Sequence, residues 1–318
     1  MDILFVIDRI ELKYFEFNDL VTNFWIIKEF LTQKHNVWIT TIDNLNLKSG
    51  KAYCGCYKTF EKDGNIFYEN KLINRKINDF PLVMFRPDPP VDNDYINATY
   101  IFDFVDTNKT LVLNNTKAIR DFNEKMHAVK FLDLMPENIV TSSKSDITEF
   151  LAQHDEIVLK PLNACFGSGV MTLKKGDKNT AVIINSMTDN GKHLVMVQKY
   201  IEKAKFGDKR VLFLGDEVLT QCIQKLPSND DFKFNEHKDS NIIKAQLSDS
   251  ELQKFKPVAK ELNRLGLALV GLDVIDEKII EINVTSPCYF IREINHHHNT
   301  NIEKRITQFI LDRVSVCV

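Results

Sequence analysis

No apolar run in this chain of 318 residues approaches the ~20 residues that a bilayer-spanning helix needs. Charge of one sign is also missing: 41 basic and 44 acidic side chains leave a formal net charge of -3. That balance gives no electrostatic reason to expect nucleic acid or an anionic membrane as partner, so a phosphate-bearing ligand needs a local basic pocket. Cysteine is sparse and scattered, at Cys54, Cys56, Cys165, Cys222, Cys288 and Cys317. A chain of this size needs no disulfide staples, so reduced thiols and a cytoplasmic location are expected. Only Cys54-Gly55-Cys56 forms a close pair, and with no second Cys or His pair at ligand spacing nearby, zinc is not expected. The opening Met1-Asp2-Ile3-Leu4-Phe5-Val6-Ile7-Asp8 lacks a basic segment and reads as a buried strand, not a signal peptide. There is no internal repeat and no low-complexity linker.

What is present is 44% hydrophobic and 27% charged residues, enough for a packed core and two or three lobes. The first third alternates strand and helix. Leu4–Ile7, Val37–Thr40, Leu82–Phe85 and Leu111–Leu113 are short apolar strands. Leu20, Val21, Phe24, Ile27 and Leu31 recur at helical spacing behind Asn18, a good N-cap. A hairpin over 53–70 turns at Asp63-Gly64-Asn65. The alternation implies an α/β lobe with a parallel sheet. Beyond about residue 124 the order changes to strand, glycine-bearing loop, strand around Gly167 and Gly169, which is not the order of a Rossmann or P-loop site. Further strands are expected at 194–197, 211–214, 217–223, 269–275 and 278–283. Ser248 and Glu251 make a capping box for a helix that Pro257 should kink. A last helix covers about 300–315.

Asp273, Glu281 and Asn283 are the strongest local chemical signal. Glu281 and Asn283 are two apart on one strand, hence on one face, and a turn at Asp276-Glu277 brings Asp273 alongside. Oxygen donors on one sheet face suit a hard cation such as magnesium, which prefers few carboxylates plus phosphate oxygens; the alternative is a polar rim on an edge hairpin. Lys160 ends an apolar strand just before Gly167 and Gly169 and can present a point charge to a phosphate; Lys125 and Asp208-Lys209-Arg210 add cationic edges. Arg86 follows a buried strand at its carboxyl end and precedes Pro87-Asp88-Pro89-Pro90. It either grips a carboxylate through two parallel hydrogen bonds or sits exposed in a rigid turn. His296-His297-His298 reads as a solvated turn, since consecutive residues of a strand or helix cannot all face one ion.

Taken in order, Phe85-Arg86-Pro87-Asp88-Pro89-Pro90, Ala98-Thr99-Tyr100-Ile101, Arg120-Asp121-Phe122-Asn123-Glu124-Lys125, Leu159-Lys160-Pro161-Leu162, Gly207-Asp208-Lys209-Arg210-Val211-Leu212, Val270-Gly271-Leu272-Asp273-Val274-Ile275 and Glu281-Ile282-Asn283-Val284-Thr285-Ser286-Pro287 resemble the bacterial type of glutathione synthetase, a family of ATP-grasp ligases. The resemblance runs in register over nearly the whole chain. It implies an α/β (α+β), three-lobed ATP-grasp fold. An N-terminal α/β lobe would span 1–123 and an ATP-grasp domain 124–318, the latter split into a central lobe (124–202) and a catalytic lobe (203–318). ATP would lie between two lobes, each built on an antiparallel sheet. Lys125, Lys160 and the loop with Gly167 and Gly169 would meet the phosphates. Gln198, Lys199, Tyr200 and Ile201 would face adenine, with Asp208 near the ribose and Arg210 on the phosphate side. Arg210, Lys225 and Lys233 are the implied catalytic cations, and Arg86, Asn283, Ser286 and Arg292 the implied substrate contacts. Asp273, Glu281 and Asn283 would hold magnesium or manganese.

The implied reaction phosphorylates the cysteinyl carboxylate of γ-glutamylcysteine, and the amine of glycine then attacks the acyl phosphate. A homotetramer is implied as well. The same residues suit an ATP-grasp ligase for another amino acid or peptide pair, or a nucleotide-binding subunit without turnover; retention of all three cation-site oxygens speaks against the last. The stretch from Lys225 to Asp239 departs from the family pattern, with no glycine and with lysines in place of arginines, which keeps charge but loses the planar fork.

Overall fold

The computed structural model describes residues 1–14, 19, 21–164, 167–227, 242–287 and 290–317. The expected N-cap Asn18, Lys233 and most of the stretch 225–239 therefore lie outside the described residues. In chain order the first elements are β1 (Asp2–Ile7), α1 (Arg9–Tyr14), α2 (Thr22–Thr32), β2 (Asn36–Thr41), β3 (Leu45–Lys48), β4 (Lys51–Lys62), β5 (Asn65–Tyr68), β6 (Ile73–Lys76), β7 (Leu82–Phe85), α3 (Asn93–Ile101), β8 (Leu111–Leu113) and α4 (Thr116–Arg120). Then come β9 (Asn138–Thr141), α5 (Lys144–His154), β10 (Glu156–Pro161), β11 (Met171–Lys174), α6 (Thr180–Met187) and β12 (Val195–Lys199). The last group is β13 (Asp208–Leu214), β14 (Glu217–Val218), β15 (Gln221–Lys225), β16 (Ile242–Gln246), α7 (Asp249–Arg264), β17 (Leu269–Ile275), β18 (Lys278–Asn283), α8 (Ile291–His298) and α9 (Ile302–Cys317).

Three sheets result. In the first, β1, β2, β7 and β8 are parallel, as their continuous apolar runs require. The sheet is mixed, however, not parallel throughout. The long β4 lies antiparallel to β2 and carries β3, β5 and β6. Its turn into β5 holds Asp63 and Gly64 at φ 53° and 79°, the left-handed pair that a tight hairpin requires. The N-cap of α2 is Val21, which offers no capping side chain. Its stability comes instead from burying Phe24, Ile26, Ile27 and Phe30.

The second sheet, ordered β11-β10-β12-β9, is antiparallel and closes a small core of its own around Ile157, Leu159, Leu173, Ile184, Val195 and Val197. The third, ordered β16-β15-β13-β17-β18 with β14 beside β13, is also antiparallel. Here the expected strand 217–223 is divided into β14 and β15. The capping box at Ser248 and Glu251 opens α7, which continues through Pro257 to Arg264. The three histidines occupy the last turn of α8 rather than a solvated turn, and His298 Nε2 lies 2.8 Å from the carbonyl oxygen of Cys222.

Asn114 joins the first sheet to the third. Its amide donates to the carbonyls of Leu269 and Val284 at 2.7 and 2.8 Å and accepts from the N–H groups of Ala268 and Leu269 at 2.9 and 2.8 Å.

Candidate functional site

The site is built on the β17–β18 hairpin. Asp276 and Glu277 turn the chain at φ 51° and 60°, and the register sets Asp273 opposite Glu281 and Gly271 opposite Asn283. Leu272, Val274 and Ile282 are buried in the core, which leaves the polar residues on the other face. Asn283 donates its amide N–H to Asp273 Oδ1 at 3.0 Å, a bond that does not use its carbonyl oxygen. Burial pushes the Asp273 carboxyl up to about 7, with Arg210 pulling the other way and Asp208 and Glu281 adding like charge.

Cations surround these oxygens. Lys125 Nζ sits 2.8 Å from Glu281 Oε1 and donates to the carbonyl of Ala164 at 2.7 Å. Burial opposes its charge, but Glu281 overrides that and the lysine is held above its usual range. Asn123 shapes this segment. Its Oδ1 accepts from the N–H groups of Lys125 and Met126, and its amide donates to Leu162 across the loop. Lys160, on β10, is 8% exposed, and burial lowers its ammonium to about 8.

Arg210 places Nη1 2.8 and 2.7 Å from the two oxygens of Asp273 and Nε 2.5 Å from Asp208 Oδ2. The Nε contact is an ion pair without hydrogen-bond alignment, so both Asp208 oxygens and Arg210 Nε are buried with no hydrogen-bond partner. Lys225 lies opposite Asp208 in the β13–β15 register and 5.6 Å from the ring of Phe290. That pairing needs Gly207: at φ 97° a Cβ there would meet the Lys225 carbonyl oxygen at 2.1 Å.

The structure thus gathers Asp273, Glu281, Asn283, Lys125, Lys160, Asp208, Arg210 and Lys225. Gln198 is 2% exposed and its Nε2 has no hydrogen-bond partner, so it can donate to a ligand acceptor. Lys199, next on the strand, turns the other way to Glu137 at 3.0 Å on the surface. Tyr200 and Ile201 follow, half-buried. Gly167 and Gly169 have φ 66° and 71°, and a Cβ on Gly169 would press on Pro161 at 2.9 Å. Among the described residues Arg292 makes ion pairs to Glu293 at 2.8 Å and Asp19 at 3.5 Å.

Arg86 is neither an exposed turn residue nor an open carboxylate clamp. It is 2% exposed. It donates from Nε to Asn23 Oδ1 at 2.5 Å, and from Nη2 to the Pro287 carbonyl at 2.5 Å and to Ser286 Oγ at 3.4 Å. Asn23 in turn donates to both oxygens of Glu11. Burial, with Asp88 nearby, raises Glu11 to about 8; burial likewise raises Asp88, which bonds Ser286, to about 6.

Glu124 went unread in the sequence. Its Oε1 accepts from Val284 N, Thr285 N and Thr285 Oγ1 at 2.7, 2.9 and 3.0 Å. Its only signal was its place between Asn123 and Lys125, and a charged residue there reads as solvated until the fold buries it.

Two carboxylates and an amide suit a hard divalent ion when other oxygens complete the shell. Among the described residues no group of three or more His, Cys, Asp or Glu side chains could hold a metal by itself. Two carboxylates and one amide leave coordination positions that other oxygens, such as those of a polyphosphate, could fill.

Residues 124–299 match the model of the prokaryotic glutathione synthetase ATP-grasp domain, and residues 1–120 that of the prokaryotic glutathione synthetase N-terminal domain. A glutathione synthetase from Thermosynechococcus vestitus is 34% identical over 285 residues, covering 86% of this chain and 89% of that protein. One from Salmonella typhi is 32% identical over 297 residues, covering 92% and 94%. Among solved structures, D-cycloserine synthetase DcsG superposes with TM-score 0.69 at 13% identity, over 99% of this chain and 100% of that one. The ATP-grasp ligase PsnB, in a complex with Mg and ADP, does so with TM-score 0.61 at 14% identity, over 98% of each chain.

Proposed function

The chain belongs to the prokaryotic glutathione synthetase family of ATP-grasp ligases, and from that membership we propose how its own residues carry out the ligation of γ-glutamylcysteine to glycine. A carboxylate is a poor electrophile because its leaving group would be oxide. Transfer of the γ-phosphoryl group of ATP to the cysteinyl carboxylate gives an acyl phosphate and ADP. The amine of glycine attacks the carbonyl carbon, phosphate leaves, and the nitrogen sheds its proton to give the amide. No nucleophilic side chain is needed; positioning and charge stabilisation supply the rate.

Lys125, Lys160, Arg210 and Lys225 take the negative charge of the triphosphate and of the transferring phosphoryl group. Asp273, Glu281 and Asn283 would hold magnesium, or manganese, and the ion would supply positive charge that lowers the repulsion between phosphate oxygens and the attacking carboxylate. Gln198 Nε2 donates to the adenine ring. Ser286, half-buried at the end of the catalytic segment, meets the peptide, while Arg86 fixes that segment from behind. The family resemblance implies a further catalytic cation at Lys233, which lies outside the described residues. Residues 1–123 form the peptide side of the cleft, and 124–202 and 203–318 form its nucleotide side. A homotetramer and a cytoplasmic location complete this reading; among the described residues no helix is long and apolar enough to cross a membrane.

The observation that carries the assignment is the facing of Asp273 and Glu281 across β17–β18 beneath Lys125 and Arg210. Glu281→Gln and Asp273→Asn should each lower kcat by about a hundredfold or more in protein whose circular dichroism shows it to be folded. ADP release with γ-glutamylcysteine and glycine, compared with other acceptors, reads the activity. Near-wild-type turnover of either variant at saturating magnesium refutes the metal assignment. Sedimentation equilibrium checks the tetramer.

A further inference from the structure

The carboxylates assigned to the metal are already engaged. Glu281 carries Lys125 at 2.8 Å, and Asp273 carries Arg210 at 2.7 Å. These are the cations assigned to the phosphates, so each has two competing anionic partners. All four groups are buried or half-buried, where a charge stripped of its partner is expensive. A divalent ion arriving alone has to displace an ammonium and a guanidinium from their carboxylates and add its own positive charge beside theirs. A triphosphate arriving alone has to draw both cations away and leave two carboxylates facing each other across the hairpin. When both arrive together every charge keeps a partner: the metal takes the carboxylates, and the phosphates take the cations.

Arg210 also has a second anchor. Asp208 lies on its own strand, with a side chain only 3% exposed, in contact with Nε and without a hydrogen bond of its own. Lys225 stands opposite Asp208 in the register, and neither this pair nor the Nε contact involves Asp273. Asp208 can therefore hold the guanidinium in the site while Nη1 is released.

We propose that Lys125 and Arg210 are exchangeable counterions of Glu281 and Asp273, so that metal and triphosphate bind as a coupled pair, and that Asp208 is the positioning residue that retains Arg210 when Asp273 is given up. The proposal rests on the metal and phosphate assignments above and adds their coupling. By reciprocity the nucleotide strengthens metal binding by the factor by which metal strengthens nucleotide binding, beyond their association in solution.

The test is Mn2+ binding to the full chain without nucleotide, read by electron paramagnetic resonance of the free ion. Wild type should bind weakly. Lys125→Met, which keeps the apolar stem and removes the competing ammonium, should bind Mn2+ more tightly by about tenfold or more, although the same change weakens nucleotide binding. Asp208→Asn should shift affinity the opposite way, because Arg210 then has Asp273 as its one carboxylate, and Asp208→Glu should restore the wild-type value. Lys125→Met with unchanged or weaker Mn2+ binding overturns the exchange, and Asp208→Asn with tighter binding overturns the role of Asp208. The double variant Lys125→Met with Glu281→Gln separates this from the site assignment. If the gain persists without the Glu281 carboxylate, the ion lies elsewhere and the assignment itself fails. If the gain disappears, both stand.

Discussion

Replacing Asn114 tests how the first sheet is fastened to the β17–β18 hairpin. Its side chain is 3% exposed and uses its full amide capacity: two donated and two accepted bonds between 2.7 and 2.9 Å, to Ala268, Leu269 and Val284. A typical bond of this kind contributes about 1 kcal/mol net. Asn114→Ala removes four and leaves two carbonyls and two N–H groups without their partner, so a loss of about 4 kcal/mol is expected, a large share of the ~5–15 kcal/mol that holds a protein folded. Asn114→Asp sharpens the test. It keeps two acceptors but turns a carboxylate toward the carbonyls of Leu269 and Val284, where burial raises its pKa above the unfolded value. Stability of that variant relative to wild type is therefore greatest below about pH 4 and is lost as pH rises through the folded pKa. Urea unfolding can be followed by tryptophan fluorescence, since Trp25 and Trp38 both lie in the first lobe. A loss below about 1 kcal/mol for Asn114→Ala, or a pH-independent difference for Asn114→Asp, refutes the reasoning.

Two further outcomes are expected. Lys160 has its ammonium pulled down to about 8, so it becomes neutral above that pH and its charge on the phosphates disappears. The kcat/KM for ATP should then fall as pH rises through about 8, and Lys160→Arg should abolish that inflection; a variant profile with the same inflection assigns it to another group. Gly207→Ala puts a Cβ 2.1 Å from the Lys225 carbonyl at φ 97°, and should cost about 2–3 kcal/mol in stability, with an increase in the KM for ATP as Lys225 shifts. An unchanged melting temperature counts against that contact.

Much of the fold was legible because burial writes itself into short apolar runs. Ile3 to Ile7 and Leu82 to Phe85 are covered on both faces and read as strands. Asp63-Gly64 and Asp276-Glu277 announce their turns. The mixed first sheet was not legible, because antiparallel pairing of β4 with β2 depends on a contact between strands that neither strand encodes alone. Asn18 misled as a helix start because packing of Phe24, Ile27 and Phe30, not a cap, stabilises α2. The placement of Asp273, Glu281 and Asn283 together on the β17–β18 hairpin could be read from period two and a turn. Arg86, Glu124, Asn23 and Asn114 could not, since a polar residue declares its role through partners as much as 201 positions away.

Those unread residues share one task. After β18 the chain leaves regular structure, and the backbone polar groups of 284–287 need partners to be buried at all. Asn114 takes the Val284 carbonyl, Glu124 takes the N–H groups of Val284 and Thr285, and Arg86 takes the Pro287 carbonyl. Each comes from an earlier part of the chain, and one buried polar side chain fits only one register of that segment. Apolar packing alone would let the segment slide by a fraction of a residue at little cost. The hydrogen bonds do not, and Asn283 and Glu281 immediately upstream inherit that fixity. Glu124 also stands next to Lys125, so the carboxylate that clamps the exit of β18 sets the height at which Lys125 meets Glu281. The face proposed for the metal and the cations proposed for the phosphates are therefore positioned by a common set of buried bonds, so the proposed exchange of counterions requires no movement of the hairpin.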